Sequence, residues 1–210
     1  MDSPIRVSRA RFVLVRRIAL LSALVLVGAF IVTEAEPAVK ASIARRTLRA
    51  HHDEIVFAAE ESGLDPCLLA GMMRAESSGR IGAISHKGAL GLLQLMHSTA
   101  VERAEILGLE EPTKEDLTSD PLLNARLGAN YMAYLLEREE GNLEAALVAY
   151  NTGPFRLARW VREAGSYAAW REERMAAGNS DVLAYAHRVM RYRDEIAKAG
   201  YFETTHELQE

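Results

Sequence analysis

Beyond about residue 50 the apolar residues recur at intervals of three and four, the period of helices that bury one face. A first helix is predicted from about His51 to Ser62, with Ile55 and Ala59 inward and Gly63 as its stop. Asp65-Pro66 starts a second, because an aspartate acceptor suits the cap and a proline ring suits the first turn. Its inward face is Leu69, Met72, Met73 and Glu76, and Ser77-Ser78-Gly79 ends it. From Ile81 to Leu95 the period fails, and Gly82, Gly88 and Gly91 predict turns with small strands. Helix resumes at about Ser98. Asp120-Pro121 repeats the cap-plus-proline start and opens a long helix to about Glu139, with Leu123, Leu127, Tyr131, Tyr134 and Leu135 inward. Asn142 caps the next, where Leu143, Ala146, Leu147 and Tyr150 share a face. Gly153-Pro154 closes it and begins another through about Arg162, and a last helix covers about Asp181 to Lys198 with Val182, Tyr185, Val189 and Ile196 inward. No alternation of strand and helix argues for a parallel sheet. The expected fold is mainly α: a compact helical domain with one small irregular or β element around residues 81–95.

One position does not fit its stripe. Glu76 places a carboxyl where the helix should bury an apolar side chain. Partial desolvation favours the neutral form of a carboxyl group and raises its pKa, which is what a proton donor near neutral pH requires.

Composition limits what such a group could serve. The 210 residues, 49% hydrophobic and 26% charged, suffice for one ordinary core. A formal net charge of −4, with no long block of like charge, gives no sign of a nucleic-acid groove. The N-terminus is different. Arg6, Arg9, Arg11, Arg16 and Arg17 precede an uncharged apolar run from Ile18 to Val32, and Thr33-Glu34-Ala35 loosely fits a cleavage site. Residues 1–35 are thus expected to export the chain to the periplasm or cell envelope. They serve either as a removed signal peptide or as a short inner-membrane anchor through residues 18–32. Cleavage after Ala35 would take the formal charge from −4 to −7. Residues 36–50 are expected to form a linker or lead helix, 51–200 the folded domain and 201–210 a tail. Cys67, the only cysteine, allows no intrachain disulfide and is expected to be a small half-buried apolar residue. The sequence contains no HExxH or paired-cysteine site, so no metal or other cofactor is expected.

Gln94, the Tyr150-Asn151 pair and Tyr185 also set polar groups at the edges of apolar faces. An amide both donates and accepts, which suits a sugar hydroxyl or N-acetyl group, and a tyrosine can stack on a sugar ring. Plainer roles fit the periodicity equally well. Glu76 could be a solvated helix end, the tyrosines core residues with satisfied hydroxyls, and Asn151 a turn residue. Glu60-Glu61 fits a solvated helix end, while Asp116 and Asp120 fit turn and cap positions.

Three ordered motifs favour a more specific reading. Glu76-Ser77, then Gly88-Ala89-Leu90-Gly91-Leu92-Leu93-Gln94-Leu95-Met96, then Ala149-Tyr150-Asn151-Thr152-Gly153-Pro154 resemble lytic transglycosylases of the soluble Slt type, bacterial enzymes with a lysozyme-like fold. Asp120-Pro121, Asn124 and Gly128-Ala129-Asn130-Tyr131 resemble the family's central helix, and Tyr185-Ala186-His187-Arg188-Val189 its late tyrosine motif. Leu92, His97 and Thr152 depart from the methionine, proline and alanine usual there, and His86 and His97 are expected at the surface.

The resemblance implies that Glu76 is the catalytic acid and base and that Ser77 helps to hold it. It also implies that Gln94, Met96, Tyr150, Asn151 and Tyr185 line a glycan cleft, with Ser77 grouped among the substrate-binding residues. The implied reaction cleaves the bond between N-acetylmuramic acid and N-acetylglucosamine without water and leaves a 1,6-anhydro end. Only one carboxylate is supplied by the motifs, where ordinary glycosidases use two. Two alternatives stay open: a hydrolase related to goose-type lysozyme, and a non-catalytic peptidoglycan-binding or assembly protein. The implied partners are peptidoglycan glycan strands. The negative net charge adds the expectation of a recruiting envelope-assembly or secretion-system partner.

Overall fold

The computed structural model describes residues 16–18, 21–22, 42, 45–178 and 180–202. The chain divides into two units, residues 1–46 and 47–210. In the first, residues 16–18 and 21–22 are helical. The rest of the expected export segment, much of the 36–50 lead and residues 203–210 of the tail lie outside the described residues. Among the described residues no helix is long and apolar enough to cross a membrane.

The second unit is built from α1 (His52–Ser62), α2 (Pro66–Glu76), α3 (His97–Ile106), α4 (Asp116–Ser119) and α5 (Pro121–Arg138). It continues through α6 (Leu143–Thr152), α7 (Pro154–Ala164), α8 (Tyr167–Ala176) and α9 (Asp181–Lys198). The predicted caps are in place. Asp65 Oδ1 accepts from Cys67 N at 2.8 Å, Asp120 Oδ1 from Leu123 N at 2.9 Å and Asn142 Oδ1 from Ala145 N at 3.1 Å. Each such cap stabilises a helix by about 1 kcal/mol.

Helix α2 packs most extensively on α9, and α1 on α5. Leu69, Met72 and Met73 are almost completely buried in the main core, with Leu147, Val148 and Val189 around them. At Gly71 the α2 and α9 backbones nearly touch: a Cβ there would lie 3.0 Å from Val189 O and Arg193 N.

A smaller core of Leu90, Leu95, Ala100, Ala104, Leu117 and Leu127 anchors the irregular segment. Residues 81–95 form turns with two isolated antiparallel bridges, Ile84 to Leu90 and Leu90 to Leu95. The organiser is Asn124 of α5, which is fully buried. Its Oδ1 accepts from Leu93 N at 2.8 Å, and its Nδ2 donates to Leu90 O and Leu117 O, both at 3.0 Å. Gly91, at φ +76°, allows this approach, since a Cβ would stand 2.1 Å from Leu117 O.

Three expectations need correction. Helix α8 was not anticipated: its sequence is polar and Trp170 is its one buried residue, stacked at 5.7 Å on Trp160 of α7. Tyr201 and Phe202, the first residues of the expected 201–210 tail, are not free of the domain. Both pack against the main core, and the Phe202 ring stacks on His52 at 5.5 Å. Glu61 is not simply solvated, because Arg126 of α5 grips it through two bonds of 2.6 and 2.8 Å.

The Asn124 contacts generate a sharp prediction. Asn124→Ala leaves the Leu93 N–H and the Leu117 carbonyl without this partner, while Leu90 O keeps Leu95 N, and should destabilise the domain by about 2 kcal/mol or more. Asn124→Asp, despite its matching shape, turns an acceptor toward two carbonyls and should do no better in denaturant unfolding. Wild-type stability in either variant would contradict this role.

Candidate active site

Glu76 is the last residue of α2 and is half-buried. The α2–α9 contact brings it to Tyr185, itself 3% exposed, whose hydroxyl donates to Glu76 Oε1 at 2.5 Å. Burial pushes the Glu76 pKa up to about 7, against the opposing pull of the Tyr185 hydrogen bond and the Arg188 charge. The penalty for charging the group outweighs both stabilising influences. Among the described residues no second carboxylate is hydrogen-bonded or ion-paired with it.

The turn after Glu76 is braced. Ser77 is buried, and its hydroxyl donates to Met73 O at 3.4 Å and accepts from Gly79 N at 3.0 Å. His51 Nε2 donates to Gly79 O at 3.0 Å. Ser77 therefore holds the backbone on which Glu76 ends and does not face an open groove.

A second half-buried glutamate shows how much the surroundings decide. Glu144 of α6 also suffers from burial, but Arg171, His187 and Tyr167 donate to it at 2.6, 2.8 and 2.9 Å. Together they hold its carboxyl below the usual range. Glu144, less deeply buried than Glu76 and held by three donors instead of a single phenol, thus settles in the opposite state.

Beside this centre lies a groove of about 340 Å³. Lys87, Gln94 and Leu95 of the irregular segment line it together with Met96 at the start of α3. Tyr131 of α5, Tyr150 and Asn151 at the end of α6 and Arg156 at the start of α7 complete the lining. Met96 is 46% exposed and Asn151 is exposed, so both are open to a ligand. Gln94, at φ +49°, donates through Nε2 to Ala83 O at 3.1 Å and Gly91 O at 2.8 Å. The expectation of an amide free to donate and accept is therefore met only on its acceptor side. The Tyr150 hydroxyl donates to Leu93 O at 2.8 Å, leaving its ring as the contact surface. Glu76 does not line this groove; it meets it through Tyr150, whose phenol feels the Glu76 charge.

The structure gathers Glu76, Tyr185 and Tyr150 at one point and Gln94, Met96, Tyr150 and Asn151 around one groove. Tyr185 is buried against Glu76 and does not line the groove, where a substrate-binding residue was expected. Sequence reasoning had placed Tyr131 on a buried helix face and had not singled out Lys87 or Arg156. His97 is more than a surface residue, since its Nε2 donates to Pro112 O at 2.9 Å. Among the described residues no group of three or more His, Cys, Asp or Glu side chains is arranged to hold a metal ion.

The Glu76 pKa has a consequence for stability. Between about pH 4.5 and 7 the native state keeps a proton that the unfolded chain releases. This contribution to stability is full below about pH 4.5 and is lost as pH rises through about 7. Glu76→Gln should thus change stability little near pH 4 and raise it by up to about 3 kcal/mol near pH 8. Thermal unfolding at the two pH values checks this, and an equal effect at both would contradict it.

Residues 53–172 match the family model of the transglycosylase SLT domain. A transglycosylase of Enterobacteria phage PRD1 is 36% identical over 115 residues, 55% of this chain and 39% of the phage protein. The soluble lytic murein transglycosylase of Escherichia coli K12 is 30% identical over 116 residues, 55% of this chain but only 16% of that enzyme. This chain therefore corresponds to a minor part of each relative's length. Among solved structures, an inactive glutamate-to-glutamine mutant of the lytic transglycosylase Slt from Pseudomonas aeruginosa superposes with a TM-score of 0.62 at 29% identity. That match covers 71% of this chain and 24% of the other. The 70 kDa soluble lytic transglycosylase of Escherichia coli, at 24% identity and a TM-score of 0.60, shares the mainly α, lysozyme-like fold. On the breadth of the family match, this chain belongs to the transglycosylase SLT domain family.

Proposed function

We propose that residues 51–200 form a peptidoglycan lytic transglycosylase in which Glu76 acts first as acid and then as base. Protonated Glu76 gives its proton to the glycosidic oxygen between N-acetylmuramic acid and N-acetylglucosamine, and that bond breaks. The muramyl N-acetyl group stabilises the oxocarbenium-like carbon. Ionised Glu76 then removes the proton of the same sugar's 6-hydroxyl, whose oxygen closes onto the anomeric carbon to give the 1,6-anhydro product. No water enters the products, and Glu76 ends in its starting state.

The observation that carries this reading is a half-buried carboxyl with a pKa of about 7 that is linked through Tyr150 to a sugar-sized groove. Such a group is divided between its two forms near neutral pH, as an acid that must later act as a base requires. The related Pseudomonas enzyme, inactive as a glutamate-to-glutamine mutant, supports it. Gln94, Met96, Tyr150 and Asn151 contact the glycan in this scheme, while Ser77 and Tyr185 hold Glu76 in place. The basic and apolar N-terminus supports export to the envelope, as a cleaved signal or an inner-membrane anchor, where an assembly or secretion machine could recruit the enzyme. The goose-lysozyme-like alternative needs an activated water and leaves a reducing end.

Glu76→Gln keeps the shape and removes the proton, so turnover of purified sacculi should fall by about 10²-fold or more while glycan binding persists. Mass spectrometry of the parent enzyme's fragments should find them lighter by one water than hydrolysis products. Parental digestion by the variant would remove Glu76 from the mechanism. Reducing ends throughout would identify a hydrolase, and binding without release of fragments would identify a non-catalytic module.

A further inference from the structure

Two charged side chains line the groove, Lys87 and Arg156, and both are cationic. They come from separate elements, one in the irregular segment just before Gly88 and the other in the first turn of α7. Both are exposed. Among the described residues neither side chain is paired with a carboxylate, whereas Arg159, one turn further along α7, reaches Glu163 at 3.9 Å. Because α7 begins at the groove, the partial positive charge of its N-terminus adds to the same field. The chain as a whole carries a formal charge of −4, so its overall field would repel an anionic polymer. The sign is reversed where a glycan would lie.

Neutral chitin-like sugars give two cations nothing to neutralise. Muramic acid does, because its 3-O-lactyl arm ends in a carboxylate when bare and carries peptide carboxylates when substituted. We propose that Lys87 and Arg156 recognise carboxylates on the muramyl lactyl arm, so that the groove selects muramyl glycan over uncharged N-acetylglucosamine polymers. The inference rests on reading the groove as a peptidoglycan site. It adds the part of the substrate that confers selectivity, and it assigns that part to side chains remote from the reacting bond. An exposed cation–carboxylate pair is worth up to about fivefold in affinity and is screened by salt.

The test is direct binding to full-length protein carrying Glu76→Gln, which keeps the ligand intact. Three labelled glycans are compared: a chito-oligosaccharide, a bare muramyl oligosaccharide and the same oligosaccharide bearing peptide stems. Adding Lys87→Gln and Arg156→Gln together should weaken muramyl ligands by roughly tenfold at low salt. Affinity for the chito-oligosaccharide should stay unchanged, and the difference between parent and variant should shrink in about 1 M salt. Weakening of the bare muramyl ligand alone places the recognised carboxylate on the lactyl arm, weakening of the peptide-bearing ligand alone places it on the stem, and weakening of both shows that the two cations accept either. Unchanged muramyl affinity, or an equal loss for the neutral glycan, overturns the proposal. Failure of the parent to bind any of the three overturns the peptidoglycan reading itself, and this inference with it.

Discussion

The site depends on how closely α2 and α9 approach. With Gly71 at their crossing, the helices pack at a separation that a side chain would force apart, a Cβ there falling 3.0 Å from α9 backbone atoms. Glu76 lies five residues along α2 and Tyr185 four residues before Val189 on α9, so one crossing fixes where carboxyl and phenol meet. The phenol's hydrogen bond favours the carboxylate, yet the apolar wall that the crossing creates opposes charge more strongly. A looser contact would admit water and return Glu76 toward an ordinary carboxylate. Close helix packing thus becomes an acid–base property, and Glu144, gripped by three donors, marks the opposite outcome within the same fold.

The groove relies on a second kind of order. The irregular segment has little regular pairing of its own, so buried amides replace it. Asn124 satisfies three backbone groups, and Gln94 holds two carbonyls while its ring of neighbours opens toward the groove. Tyr150 fastens the α6 side to the same segment through Leu93 O. Polar residues that could each be taken for ligand contacts are thus partly engaged in holding the backbone. What is left for a sugar is an aromatic ring, the Gln94 carbonyl oxygen, a thioether, one exposed amide and two cations.

Much of this was legible in the chain. Asp65-Pro66, Asp120-Pro121 and Asn142 announce helices because capping is local chemistry, and α9 runs over the predicted Asp181–Lys198. The odd placement of Glu76 on an apolar stripe was equally visible. The remainder depends on partners far away in sequence. Helix α8 is polar on average and buries only Trp170, so few apolar residues mark it, and its clearest local signal is Ser166 after Gly165, with Ser166 Oγ accepting from Ala169 N. Tyr131 fits both a core face and a groove wall, and only packing decides between them. Lys87 and Arg156 resemble any surface cations until the fold brings them to one groove. Pairing of Glu61 with Arg126, or of Glu144 with His187, spans too many residues for periodicity to reveal.

The central claim is that the apolar contact between α2 and α9 keeps a proton on Glu76 near neutrality. Carbon-13 NMR of glutamate side-chain carboxyls, with the Glu76 signal identified by its loss in Glu76→Gln, reads that proton directly. A titration midpoint near pH 7, well above the 4.5 of an ordinary glutamate, is the predicted result. A midpoint at or below about 4.5 would show a carboxylate already ionised at working pH, and it would contradict the account.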